Sequence, residues 1–122
     1  VGICATPPNR DIQKSALGAT ETVNWKHFQS IKECIGELRN QRCEIMTIEQ
    51  SDKSVMLNDF QPENDKKYAL IFGNEVDGVS DFAIQFCDTC IEIPQFGMKH
   101  SLNISVSAGI VLWDFASKLR LK

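Results

Sequence analysis

The apolar positions along the chain alternate between solid runs and helical spacing. Residues 68–72 (YALIF) are continuously apolar, which predicts a strand buried on both faces of a sheet. Residues 43–48 (CEIMTI) and 89–93 (TCIEI) predict two further short strands, and residues 1–5 the end of a fourth. Phe28, Ile31, Ile35 and Leu38 recur at three- and four-residue steps, so a helix is expected over residues 25–39, closed by Asn40. Residues 11–16 suggest a helical turn, and Ser80 a cap for a short helix over residues 81–86. A last helix begins near Ser101 or Asn103 and runs to about Leu119. The basic Lys118, Arg120 and Lys122 suit its C-terminus. The connectors are polar: residues 6–10, where Pro7 and Pro8 cannot continue a strand, then 49–53, 61–67 and 74–80, with 54–60 of mixed character. Strands alternating with helical or irregular crossovers predict an α/β fold with an open parallel sheet.

Two features of this pattern point to a site. The last helix is apolar almost all round, through Ile104, Val106, Ala108, Ile110, Val111, Leu112, Trp113 and Phe115. Such a helix is expected to be buried, in a core or at a subunit contact. The polar loop before it, with Gly97 near its centre, lies between a strand end and that helix. In an open parallel sheet, ligands sit at the carboxyl ends of strands. Three ends stand out: Ile48-Glu49-Gln50, Gly73-Asn74-Glu75 and Ile93-Pro94-Gln95. Gly73 directly after a strand would let a ligand approach the backbone, Asn74 and Glu75 would supply an amide and a carboxylate, and Gly78 would permit a sharp return. Taken alone, that segment is better read as a polar turn. The GxxxxGK[ST] and GxGxxG spacings are absent, which argues against nucleoside triphosphates and NAD.

Composition narrows the classes. A chain of 122 residues, 43% hydrophobic and 24% charged, is expected to form one globular domain over residues 1–122. Its net charge of -3 gives no general attraction to nucleic acid, so an RNA contact needs a local basic patch. Arg10 and Lys14 supply one candidate, for which a solvated loop is an equal reading. No apolar run is long enough for a membrane span and no signal-peptide pattern is present. The chain opens on Val1 inside an apolar run, so a fragment or trimmed product is expected. Five cysteines, an odd count without a secretory signal, predict reduced thiols in the cytoplasm. Cys87-Asp88-Thr89-Cys90 matches CxxC, but a redox pair should open a helix and a zinc site needs further ligands, so core filling is the favoured reading. His27 and His100 stand apart in sequence as surface and loop residues, and no metal is expected.

FGNEVDGVS (residues 72–80) followed by IEIPQFGMKHSLNISVSAGI (residues 91–110) resembles the second and third motifs of the SpoU (TrmH) family of RNA 2'-O-ribose methyltransferases, of the SPOUT class. The upstream CATPPNRDIQKSALGATETVNW resembles a segment that follows the second strand in many such proteins, so the likeness covers essentially the whole chain. It implies an α/β knot, with the segment from about Cys87 onward threaded into a C-terminal trefoil, and S-adenosylmethionine bound bent in the knotted loops. By the same resemblance Ile48, Gly73, Asn74, Gly78, Ile93, Met98, Ser101 and Leu102 would hold the cofactor. Glu75 and Asn103 would support catalysis by ordering loops and orienting the ribose. Arg10 and Lys14 would touch RNA, either tRNA or rRNA, and the knotted region would form a homodimer.

The chain departs from the family pattern at one place. The first motif, with an asparagine and the arginine that helps remove the 2'-hydroxyl proton, is missing, and Arg10 sits in a later loop. The first strand is therefore expected to be missing, leaving a gap in the sheet, and the chain itself is expected to bind cofactor weakly and not to turn over. The alternative is a non-catalytic module that binds S-adenosylmethionine or RNA.

Overall fold

The most deeply buried strand residues lie on Cys43–Ile48, a central strand of the sheet, and not on the more continuously apolar run 68–72. A computed structural model describes residues 1–98 and 101–120. In chain order the elements are α1 (Arg10–Ala16), α2 (Ala19–Thr22), α3 (Ile31–Asn40), β1 (Cys43–Ile48), β2 (Val55–Met56), β3 (Lys67–Phe72), α4 (Asp81–Phe86), β4 (Thr89–Glu92) and α5 (Ile104–Arg120). The sheet order is β2-β4-β1-β3 and all pairings are parallel. The register sets Ile48 beside both Phe72 and Ile91, so the carboxyl ends of β1, β3 and β4 lie level.

Because side chains alternate across a strand, β1 feeds two apolar layers. Met46 points to α5, where it packs with Leu57, Ile91, Val111 and Phe115, and Tyr68, Leu70 and Phe72 join this layer from β3. Ile45 points the other way, into Ile35, Val79 and Ala83, with Ala69 and Ile71 from β3. The sheet is thus covered by α5 on one face and by α3 and α4 on the other. Phe60, Tyr68 and Phe115 stack at one end of the α5 layer, with ring centroids 5.5–6.1 Å apart. Lys118 fixes the end of α5. Its ammonium donates to the Leu57 and Phe60 carbonyls, both at 2.8 Å, and pairs with Asp114 at 2.7 Å.

Several expectations need correction. Residues 1–5 form no strand. Gly2 takes φ +79°, and its N–H donates to the Phe28 carbonyl at 2.8 Å rather than to a ladder. The fourth strand is Val55–Met56, inside the stretch read as a mixed connector, where two residues are too few to show a period. The helix expected from residue 25 starts at Ile31, because the Ser30 hydroxyl caps it by accepting from the Glu33 N–H at 3.2 Å. Phe28 therefore lies outside the helix it was assigned to. Residues 68–72 are not buried on both faces: β3 is an edge strand and its residues from Tyr68 on are half-buried. The four strands adjoin one another with no internal gap, and the two edges are β2 and β3.

The last helix buries only one stripe, at Val111 and Phe115. Val106, Leu112 and Trp113 remain 50%, 56% and 66% exposed, so core burial does not explain its apolar excess. All five cysteines are free. Cys90 is buried and its thiol donates to the Glu49 carbonyl at 3.2 Å, while Cys87 donates to the Ile84 carbonyl and accepts from the Thr47 hydroxyl. This is the core-filling arrangement expected for the CxxC. His100 and Lys122 lie outside the described residues. Among the described residues no helix is long and apolar enough to cross a membrane, and no cluster of metal-ligating side chains occurs.

Candidate functional site at the strand ends

The level ends of β1, β3 and β4 open into a cavity of about 720 Å³, within the size range of cofactor sites. Its apolar walls are Ile48, Phe72, Ile93, Leu102 and Ile104, which continue the α5-side layer beyond the strands. Its polar walls come from the loops after β1 and β3 and from the segment entering α5.

The loop of residues 73–79 is built by its own backbone. Asn74 Oδ1 accepts from the Val76 N–H at 2.9 Å and the Asp77 N–H at 2.7 Å, and the Gly78 N–H donates to the Asn74 carbonyl at 3.0 Å. The chain then folds back so that Gly78 and Val79 lie directly against Gly73, where a Cβ would overlap the Gly78 carbonyl carbon. This revises the reason for Gly73: the close approach it permits is by the chain itself. Gly78 takes φ +68°, the left-handed region that favours glycine. The Asn74 side-chain oxygen is engaged in shaping the turn, while Glu75 and Asp77 are exposed on its rim.

Asn103 closes the opposite wall. Its Oδ1 accepts from the Ser105 N–H at 2.9 Å and the Ser105 hydroxyl at 2.6 Å, and its carbonyl accepts from the Ser107 N–H at 2.9 Å. It is the N-cap of α5 as well as a cavity residue. Ser101 and Leu102 line the same wall.

The cavity thus gathers Ile48, Gly73, Asn74, Glu75, Gly78, Ile93, Ser101, Leu102 and Asn103. Met98 is not among its lining residues and is 96% exposed. Arg10 and Lys14 lie on α1, exposed and outside the cavity. Sequence reasoning missed two acidic residues. Glu49 reaches the Val79 N–H at 3.0 Å, and Glu92 accepts from the Ser54 hydroxyl at 2.6 Å. Each sits at the carboxyl end of a parallel strand, which was the available signal. With Glu75, Asp77 and Asp81 they give the described lining five carboxylates and no Lys or Arg. Such a lining favours a cationic ligand and disfavours phosphate.

Comparison with known proteins places this geometry in a lineage. The SpoU rRNA methylase family profile matches residues 1–113. The chain belongs to the SpoU rRNA methylase family. Among relatives of this SpoU protein, a 23S rRNA (guanosine-2'-O-)-methyltransferase of Neisseria meningitidis is 34% identical over 114 residues, covering 93% of this chain and 44% of the relative. A tRNA (guanosine(18)-2'-O)-methyltransferase of Borreliella burgdorferi is 30% identical over 104 residues, covering 85% of this chain and 47% of the relative. The SpoU chain therefore spans about half the length of the curated relatives it matches. The solved TrmH/SpoU tRNA modifying enzyme of A. aeolicus superposes with a TM-score of 0.77 at 28% identity, over 87% of this chain and 53% of that one. The SpoU methyltransferase AviRb from Streptomyces viridochromogenes, in complex with the cofactor AdoMet, superposes with a TM-score of 0.80 over 96% of this chain and 45% of that one. At 21% identity that likeness speaks to the α/β fold alone.

Proposed function

We propose that residues 1–122 act as one SPOUT-type domain, the cofactor-binding and dimerisation part of an S-adenosylmethionine-dependent RNA 2'-O-ribose methyltransferase. The observation that carries this reading is the convergence of two separated sequence motifs on one cavity. Gly73, Asn74, Glu75 and Gly78 come from one motif, Ile93, Ser101, Leu102 and Asn103 from the other. The residues fit the cofactor by chemistry: the apolar walls suit the adenine. The acid-rich lining suits a sulfonium and an ammonium. Bound there, S-adenosylmethionine supplies an already activated methyl group. Ile48, Phe72 and Leu102 would exclude water. Glu75 and Asn103 would order the loop and the helix entry and orient the acceptor ribose, a positioning contribution.

Among the described residues no Lys or Arg lines the cavity, so the arginine to which the family's first motif assigns proton removal has no counterpart there. This supports the reading that the chain alone does not turn over. The same observation is what favours the second reading, a non-catalytic module binding S-adenosylmethionine or RNA. The family's acceptors, tRNA and rRNA, are the substrate classes proposed here, with Arg10 and Lys14 on α1 as RNA contacts. The C-terminal segment from about Cys87 is proposed to form the trefoil knot, and the location to be the cytoplasm. The exposed apolar residues of α5 support a homodimer through this region.

The test is methyl transfer to bulk RNA from labelled S-adenosylmethionine, using the 122-residue chain and the product of its whole reading frame. Transfer by the whole product, with binding but no transfer by the 122 residues, is expected. Cofactor binding without transfer by either would replace the enzyme by the binding module.

A further inference from the structure

We propose that Glu49 is a positioning residue whose carboxylate holds the 73–79 loop in its cofactor-binding shape. The inference rests on the cofactor reading above and adds a residue outside both motifs. Glu49 follows the last residue of β1, and its backbone is pinned to β4 on both sides. Its N–H donates to the Ile91 carbonyl at 3.0 Å, and its carbonyl accepts from the Cys90 thiol at 3.2 Å. The side chain therefore leaves from a fixed point. Oε1 turns back to accept from the Gln50 N–H at 3.1 Å, and Oε2 crosses to the neighbouring loop to accept from the Val79 N–H at 3.0 Å.

The fit on the loop is close. A Cβ on Gly78 would overlap Glu49 Oε2, and a Cβ on Gly73 would overlap the backbone of Gly78 and Val79. The Gly78–Val79 peptide is thus held between Gly73 on one side and the Glu49 carboxylate on the other. Gly73 is required by this close backbone approach, and Glu49 packs against Gly78.

Electrostatics gives the second argument. Glu49 is half-buried in a cavity whose described lining has four further carboxylates and no Lys or Arg. A carboxylate partly removed from water without a cation depends on its backbone donors. Glu49 uses both oxygens on N–H groups, one of which belongs to the loop that lines the cavity. Removing the acceptor leaves the Val79 N–H without its partner, and the loop gains freedom that a ligand must then remove on binding.

The role is tested on the 122-residue chain with Glu49→Ala, Glu49→Gln and Glu49→Asp. Amide hydrogen exchange at Val79 is measured together with S-adenosylmethionine affinity by calorimetry. Glu49→Ala is expected to speed Val79 exchange and raise the Kd by about tenfold each, with exchange at the central Ile45 and Met46 amides unchanged. Glu49→Gln keeps an acceptor oxygen and is expected to recover most of both. Glu49→Asp keeps the charge but not the reach and is expected to behave like alanine. Unchanged Val79 exchange and affinity in Glu49→Ala would overturn the proposal. So would a rise in exchange that is equal at Val79 and in β1, because the residue would then act on stability alone. If the wild-type chain takes up no S-adenosylmethionine while Val79 protection still depends on Glu49, the cofactor reading fails and a loop tether remains.

Discussion

At the scale of single residues, the two motif glycines do different work. Gly73 is required because the Gly78–Val79 backbone occupies the space of its Cβ, whereas Gly78 is favoured by its φ of +68° and has the Glu49 carboxylate against it. Gly78→Ala is expected to cost about 1 kcal/mol for the left-handed backbone, plus the clash with Glu49. Removing the carboxylate should relieve the clash but not the backbone cost. A double-mutant cycle of Gly78→Ala with Glu49→Ala, by urea denaturation, is therefore expected to show coupling of about 0.5–1 kcal/mol. Additive losses would mean that the two do not touch in solution. Asn103 carries two roles, capping α5 and facing the cavity. Asn103→Ala should lose about 1 kcal/mol of stability, while Asn103→Ser should keep most of the cap. If cofactor affinity falls equally in both, the cavity role is separate from the cap; if it follows stability, the cap is the whole effect.

At the scale of elements, the strands β1, β3 and β4 and the helix α4 were legible because each combines an apolar run with a nearby stop or cap. Ser80 accepts from the Ala83 N–H at 3.3 Å, the cap its position announced. The failures have physical causes. The helical periodicity starts at Trp25, yet Ser30 supplies a cap that begins the helix six residues later, at Ile31. β2 is two residues long, and residues 1–5 carry strand composition without a strand to pair with. The cavity was legible as three strand ends, but not the carboxylate that joins two of them, since nothing in a sequence tells which way a strand-end Glu reaches. One tether between elements makes a pH prediction. Burial would raise the Asp88 carboxyl, but hydrogen bonds from Arg39 at 2.6 Å and from the Ile45 N–H at 2.7 Å outweigh it and hold the carboxyl below its ordinary range. A carboxyl lowered by folding stabilises the fold above its unfolded value and loses that contribution as pH falls through the folded one. Arg39→Gln is therefore expected to lower the urea midpoint at pH 7, and its difference from the parent chain to narrow as pH falls through the lowered Asp88 value, leaving the part due to the Arg39 hydrogen bond to the Phe86 carbonyl. A difference that stays constant as pH falls would mean that Arg39 does not act through the Asp88 carboxylate.

At the scale of the whole molecule, two surfaces remain to be accounted for. One is the exposed side of α5 with Val106, Leu112 and Trp113, and the other is the open edge of β3. Sedimentation of the chain over a range of concentration is expected to show a monomer–dimer equilibrium that Trp113→Glu shifts to monomer. A monomer throughout in the parent chain would remove the dimer proposal. The cavity between the strand ends is the third feature and the central one. Amide chemical shifts of the 122-residue chain, followed on titration with S-adenosylmethionine, test it most directly. The account predicts changes concentrated at Ile48, Glu49, residues 73–79, Ile93 and residues 101–103, with the α1 residues Arg10 and Lys14 unmoved. Saturable changes confined to another surface, or none at millimolar cofactor, would contradict it.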